Sequence, residues 1–166
     1  HIITSPMEHK AVLSNSQELA DKGLVELHLI DVDTKGVVDL DQLEKVAAQY
    51  PKSLISLMHA NNEIGTLLDY KRVARIAKAN NCLFHSDTVQ TMGHYRFDVQ
   101  EFGADFLTCS AHKLHGPKGI GFLYANKKLN LKALITGGGQ EGNHRAGTEN
   151  VMGIVGLAKS HEIAFA

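Results

Sequence analysis

The chain has 166 residues, an ordinary size for one domain, and its 43% apolar and 21% charged residues fit a folded globular protein rather than a disordered one. No stretch approaches about 18 uninterrupted apolar residues, so we predict neither a transmembrane helix nor a membrane partner. The net charge of -1 and the pI of about 6.9 exclude a strongly basic nucleic-acid binder on bulk electrostatic grounds.

The first third of the chain alternates segments that favour helix and strand. A helix-like amphipathic stretch follows His9, and the apolar run at 24–30 predicts a strand. The segment 39–50 predicts a helix that begins with Asp39 as its N-cap and stops before a proline. Gln42, three positions after the cap, completes a capping-box pattern.

The same alternation continues to the end of the chain. A second helix is predicted at 69–81, with Val73, Ile76 and Ala77 on its buried face. Short apolar runs typical of buried strands occur at 53–58, 82–85, 105–109 and 119–125. A glycine-rich loop and the start of a further helix follow, at 136–148 and 151–160.

Strands and helices in this order are typical of βαβ units, so we predict an α/β domain with a mostly parallel mixed sheet sandwiched by helices. In such sheets the binding crevice lies just past the carboxyl ends of the strands. The polar segments that follow the predicted strands are HANNEIGT at 59–66, HSDTVQT at 85–91 and CSAHKLHGPKG at 109–119.

The two cysteines give no sign of a disulfide framework or a metal site. Cys82 and Cys109 lie in separate apolar runs and form no C-x-x-C pair, which favours a reduced, cytoplasmic setting. The histidines and cysteines also lack the spacing of a zinc ligand set, so we predict no metal.

Four polar positions have both a chemical and a conformational interpretation from the residues alone. Lys113 follows a strand and is either a Schiff-base lysine or a solvated loop lysine. Asp87 either pairs with a buried cation or caps a turn. His9 is either a ring-stacking or proton-shuttling imidazole or a helix cap, and Thr148 is either an anion ligand or part of a mobile loop.

Taken together and in this order, the motifs closely resemble the large domain of the cysteine desulfurase family, in the class V aminotransferase group of pyridoxal-phosphate enzymes of fold type I. They span nearly the whole chain. The matching segments are EHKAV at 8–12, MHANNEIGT at 58–66, HSDTVQ at 85–90, SAHKLHGPKGIGFLY at 110–124 and GGGQEGNHRAGTENV at 137–151.

The resemblance implies pyridoxal 5'-phosphate as cofactor and gives roles to four residues around its ring. Lys113 matches the lysine that joins the cofactor covalently and later moves protons on the substrate. Asp87 matches the aspartate paired with the pyridinium nitrogen, which keeps the ring an electron sink. Gln90 matches the residue that binds the phenolic oxygen, and His9 matches the histidine stacked on the ring.

Four more residues acquire roles from the same resemblance. Ser110 and His112 match phosphate ligands. Asn62 matches an asparagine near the phenolic oxygen and the substrate carboxylate. Thr148 matches a threonine that, in these homodimers, reaches the phosphate of the other subunit's cofactor.

The implied reaction transfers sulfur from L-cysteine to a catalytic cysteine and leaves L-alanine and an enzyme persulfide. The sulfur then passes to an acceptor or iron–sulfur scaffold protein. The resemblance implies that residues 1–166 are the central part of the cofactor-binding large domain, without an N-terminal segment and a small C-terminal domain that carries the nucleophilic cysteine. We therefore expect the fragment alone to be inactive.

Two other assignments fit the same motifs. Selenocysteine lyases share the fold and the lysine, aspartate and histidine, and the loop that separates the two activities lies outside these residues. The chain is alternatively a non-catalytic remnant of the fold, although such a remnant has no need to keep Lys113, Asp87 and Gln90.

Overall fold

The computed structural model describes residues 1–96 and 98–166. It contains a six-stranded sheet. The strands are β1 (Ile2–Thr4), β2 (Leu27–Leu29), β3 (Leu54–Ser56), β4 (Leu83–Asp87), β5 (Phe106–Ser110) and β6 (Gly121–Ala125). The α-helices are α1 (Lys10–Asp21), α2 (Leu40–Gln49), α3 (Tyr70–Ala79), α4 (Val99–Phe102), α5 (Gln140–Asn143) and α6 (Val151–Ala164), and a 3-10 helix spans Ala111–Leu114.

The sheet order is β2-β1-β3-β4-β5-β6, in which the first five strands are parallel and β6 runs antiparallel to β5. The predicted α/β fold with a mostly parallel sheet is thus confirmed. After β1 the chain adds β2 on one side and then crosses back to add β3 on the other. The junction of β1 and β3 is therefore the topological switch point, where crevices open in sheets of this kind.

The two predicted central helices form, with the predicted N-cap on α2 and the predicted buried face on α3, and α3 also has an N-cap that was not predicted. Asp69 caps α3 by accepting from the Arg72 N–H, and the face of Val73, Ile76 and Ala77 is buried. Asp39 caps α2 by accepting from two backbone N–H groups of its first turn, at 2.9 Å each.

The predicted capping box of α2 is wrong in its second half. The Asp39 N–H already donates to the Asp31 carbonyl, so it is not available to the Gln42 side chain. Gln42 instead binds Asp31 through both ends of its amide, at 2.6 Å to the backbone N–H and 3.1 Å to Oδ2. This pair ties α2 to the segment that follows β2.

Two apolar clusters hold the layers together. The larger one joins the strands to α2, α3 and α4, and its fully buried members include Ile3, Leu43, Ile55, Val73, Phe84, Phe102 and Leu107. The smaller one lies under the 3-10 helix and α6 and consists of Met92, Cys109, Ala111, Leu114 and Leu157. Within the described ranges, no helix has the length and apolar character needed to cross a membrane.

Several boundaries differ from the sequence predictions. The predicted strand at 24–30 pairs only over Leu27–Leu29, and the helix predicted to start at 151–160 is α6, which spans Val151–Ala164. The glycine-rich loop contains the short helix α5. The three-residue strand β1 was not predicted, because two or three apolar residues show no periodicity.

Candidate functional site

Three loops meet at the carboxyl edge of the parallel strands, as the polar segments predicted. They follow β3, β4 and β5, and backbone hydrogen bonds join them beyond the strands themselves. The His59 N–H donates to the Asp87 carbonyl at 2.9 Å, and the Thr88 N–H donates to the Thr108 carbonyl at 3.1 Å. The loop after β5 is closed by a 3.0 Å bond from the Ala111 N–H to the Ile120 carbonyl.

Asp87 is the last residue of β4, half-buried at this edge. Its Oδ1 accepts from the Val89 N–H at 2.9 Å, so the aspartate shapes the turn after β4. Its charge acts on its neighbours. Burial raises the pKa of Cys109 to about 11, with a smaller contribution from Asp87, and burial lowers the pKa of His85 against the pull of Asp87.

Lys113 lies in the 3-10 helix directly after β5, with an exposed side chain. Its carbonyl is 3.2 Å from His94 Nε2, which must be the donor because a carbonyl only accepts. Beside it, Ser110 Oγ lies 2.8 Å from His112 Nδ1. A primary amine, a hydroxyl and an imidazole are therefore presented together by one short, anchored loop.

Gly121 lets this loop return closely along β5. A Cβ at this position would lie 2.3 Å from the Cys109 carbonyl oxygen, so no other residue fits without moving a strand. β6 begins at this glycine, so the close approach of the two strands gives Gly121 a packing reason.

His9 is the N-cap of α1, which agrees with one of the two interpretations that the sequence allowed. Its Nδ1 accepts from the Ala11 N–H at 3.1 Å, which leaves the proton of the neutral ring on Nε2. The ring is exposed, and it follows β1 at the switch point of the sheet.

Asn62 and its neighbour Asn61 have different surroundings. Asn62 is exposed and donates to the carboxylate of its neighbour Glu63 at 2.7 Å. Asn61 is buried, and its Oδ1 accepts from two backbone N–H groups of the loop while its Nδ2 donates to the Met7 carbonyl. Asn61 shapes the loop and leaves Asn62 exposed at its surface. Only Asn62 was among the predicted site residues.

Gln90 is half-buried in the turn after β4, a turn that its neighbours fix. Thr88 Oγ1 donates to the Thr108 carbonyl at 2.7 Å, and Thr91 Oγ1 lies 2.9 Å from His59 Nδ1. Thr148 is exposed in the segment before α6, outside the three loops. The described hydrogen bonds of its segment run to residues 135–140 and not to the three loops.

Glu8, next to His9, is a candidate site residue that was not among the predicted ones. Only 6% of its surface is exposed, and burial raises its pKa to about 8. A hydrogen bond from the Met58 N–H lowers this pKa, and the nearby charge of Asp87 raises it. Glu8 Oε2 has no hydrogen-bond partner among the described residues. A glutamate just before a helix is typical of an exposed position. Its place in the EHKAV motif was therefore the one sequence feature that indicated a role for Glu8.

Both cysteines are buried, as expected from their apolar runs. A thiol with a pKa of about 11, like that of Cys109, carries almost no thiolate at neutral pH. The Cys82 thiol lies 3.9 Å from the Tyr50 carbonyl and 3.8 Å from the Asn80 carbonyl. Neither position suits a sulfur nucleophile.

The family model of aminotransferase class-V matches residues 1–164. The chain belongs to this family. The chain is 50% identical over 164 residues to the cysteine desulfurase IscS of Dictyoglomus turgidum. It is 47% identical over 166 residues to the protein of the same name from Methanosarcina thermophila. These matches cover 99% and 100% of the chain but 41% of either relative.

Solved structures agree with this assignment. A NifS-like protein superposes with a TM-score of 0.93 at 46% identity, over 99% of this chain and 45% of that one. SspA in complex with cysteine superposes with a TM-score of 0.90 at 37% identity, over 98% of this chain and 47% of that one. The chain therefore spans less than half the length of these relatives and solved structures.

Proposed function

We propose that residues 1–166 are the central part of the cofactor-binding large domain of a pyridoxal-phosphate-dependent cysteine desulfurase. The observation that carries the proposal is the placement of Asp87, Ser110 and Lys113 at the carboxyl ends of two neighbouring parallel strands. The residues fit the cofactor chemically: a carboxylate for a protonated ring nitrogen, a hydroxyl and imidazole for a phosphate, and an exposed amine for an aldehyde.

When bound, the cofactor supplies an electron sink for the bonds broken at the substrate's carbon atoms. Asp87 holds a proton on the ring nitrogen. Ser110 and His112 bind the phosphate, and Thr148 does so for the cofactor of a partner subunit in a homodimer. Lys113 would hold the cofactor covalently through its amine, and the same amine would move protons on the substrate.

Three further residues orient the ring and the substrate. His9 would hold one face of the ring, and its Nε2 is left available because Nδ1 accepts from the Ala11 N–H. Gln90 donates to the phenolic oxygen. Asn62 binds near the same oxygen and the substrate carboxylate, on a loop that Asn61 holds in place.

The proposed substrate is L-cysteine, which gives L-alanine and a protein persulfide. The names of the curated relatives and the solved complex of SspA with cysteine support this choice. The sulfur nucleophile is supplied from outside these 166 residues, because both cysteines here are buried. We further propose a cytoplasmic homodimer that passes sulfur to an acceptor or iron–sulfur scaffold protein.

The test uses the full-length protein, loaded with pyridoxal 5'-phosphate and reduced with borohydride before peptide mass analysis. We expect the cofactor's mass on the peptide that contains Lys113, and sulfide plus alanine from L-cysteine in the presence of a thiol reductant. Lys113→Ala is expected to lose both signals, and Lys127→Ala, at an exposed position after β6, is expected to keep both.

Absence of the adduct from the full-length protein would refute the proposal. Faster release of selenide from selenocysteine than of sulfide from cysteine would instead assign a selenocysteine lyase.

A further inference from the structure

Glu8 occupies the point where β1 stops pairing with β3. The two strands pair at Ile2 and Ile3, and the Thr4 hydroxyl still donates to the Ser56 carbonyl at 2.8 Å. The chain then turns at residues 5–7. Just past the end of β3, the Met58 N–H donates to Glu8 Oε1 at 2.5 Å. The carboxyl group thus takes the place of a strand carbonyl beyond the end of β1.

A second bond parallels the first. Asn61 Nδ2 donates to the Met7 carbonyl at 2.8 Å. Residues 5–9 and 58–62 are therefore joined at two places across the switch point. One of these segments ends in His9 and the other in Asn62, the two residues proposed above to contact the cofactor ring and the substrate.

The surroundings of the Glu8 carboxyl do not suit an anion. It borders a cavity of about 40 Å³ with a mostly apolar lining that includes Met7, Val38, Leu57, Met58 and Leu68. None of the described lining residues other than Glu8 is titratable. The charge that reaches Glu8 from the adjoining strand is that of Asp87, which has the same sign as an ionised glutamate.

Two other titratable groups lie on the joined segments, His59 and His9. Burial lowers the pKa of His59, which favours its neutral form. His9 is exposed and engaged at the helix cap through the lone pair of its Nδ1. A proton retained on Glu8 leaves Asp87 as the negative charge of this part of the crevice.

We propose that Glu8 is a positioning residue that works in its neutral, protonated form. It joins the His9 turn to the Asn62 loop, and it does so without adding a second negative charge beside Asp87. This inference rests on the proposed function, since it concerns how His9 and Asn62 are held for the cofactor and substrate.

Glu8→Gln and Glu8→Ala in the full-length protein separate the two parts of the inference. Glutamine keeps an acceptor for the Met58 N–H and is neutral at every pH, whereas alanine removes the acceptor and leaves a buried N–H unpaired. At pH 7 we expect kcat of the glutamine variant within about twofold of the parent, and a loss of about 10- to 100-fold in kcat for the alanine variant. Glu18→Gln, an exposed position on α1, is the matched control.

The pH profile gives a readout that a merely structural role would not move. We expect the parent to lose kcat as the pH rises through about 8, and the glutamine variant to lack this limb. A glutamine variant as impaired at pH 7 as the alanine variant would show that the carboxylate ion is needed, and an alanine variant with parental kcat would show that Glu8 positions nothing. Either result overturns the proposal.

A second measurement does not depend on bound cofactor. In the cofactor-free protein, the infrared difference spectrum of parent minus Glu8→Gln should contain the C=O band of a protonated carboxyl group at pH 6.5, and this band should vanish above pH 9. Its absence at pH 6.5 overturns the inference even if Lys113 binds the cofactor. Its presence in a protein that forms no Lys113 adduct would leave the neutral Glu8 intact and refute the proposed function instead.

Discussion

The proton on Glu8 has a consequence for stability that is large enough to measure. The ordinary pKa of 4.5 applies in the unfolded chain, and the pKa is about 8 in the folded protein. Between these values the folded state keeps a proton that the unfolded state releases, so the stability linked to Glu8 is full below pH 4.5 and is lost as the pH rises through 8. A neutral glutamine at this position removes the dependence.

The size of the effect follows from the two pKa values. Each unit of difference corresponds to about 1.4 kcal/mol, so the total loss approaches about 5 kcal/mol well above pH 8. Between pH 5 and pH 8 the loss amounts to roughly 3.5 kcal/mol. Since only 6% of Glu8 is exposed, solvent screening reduces this figure little.

Urea unfolding of the cofactor-free full-length protein at pH 5, 6.5 and 8 measures this difference. We expect the free energy of unfolding of Glu8→Gln, relative to that of the parent, to increase steadily from pH 5 to pH 8. The free energy of unfolding of Glu18→Gln should change with pH as that of the parent does. A constant gap between Glu8→Gln and the parent at all three pH values would mean that Glu8 has an ordinary pKa. The reasoning from its burial would then be refuted.

Three further outcomes follow from packing. Gly121→Ala should destabilise the domain by about 2–3 kcal/mol in thermal unfolding, because its Cβ would overlap the Cys109 carbonyl oxygen; an unchanged melting temperature would contradict this. Val73→Ala should cost about 2–3 kcal/mol in urea unfolding, whereas Val155→Ala, at an exposed position, should stay within about 0.5 kcal/mol; equal costs would contradict the described core. Cys82→Ser and Cys109→Ser should keep sulfide release from L-cysteine in the full-length protein above half the parental rate, and abolition by either would make that thiol the nucleophile.

Features encoded within a few residues could be predicted from the sequence. The Asp39 cap of α2 and the buried face of α3 depend on residues within three or four positions of one another, and both predictions agree with the structure. The polar segments after the strands were also placed correctly, because a buried strand must end where polar residues begin. Asp87 and Ser110 are the last residues of β4 and β5.

Features that depend on distant partners could not be predicted this way. The Gln42 side chain matched a local capping pattern, yet it binds Asp31 on a segment packed against the helix. Glu8 gave no local signal of burial, because its partner Met58 lies 50 residues away in the sequence. Asn61 was passed over for Asn62, since two adjacent asparagines look alike until the loop around one of them is folded.

The antiparallel turn from β5 to β6 has a further consequence, for the order in which the pocket assembles. The Lys113 loop is closed by neighbours in sequence, since Ser110 pairs with Gly121. The junction that holds His9 requires contact across about 50 residues, and closing a long loop costs more entropy than closing a short one. We expect the lysine hairpin to form early during folding and the His9 junction late. Under mild denaturant the protein should therefore lose the His9 side of its crevice while the lysine side is still intact.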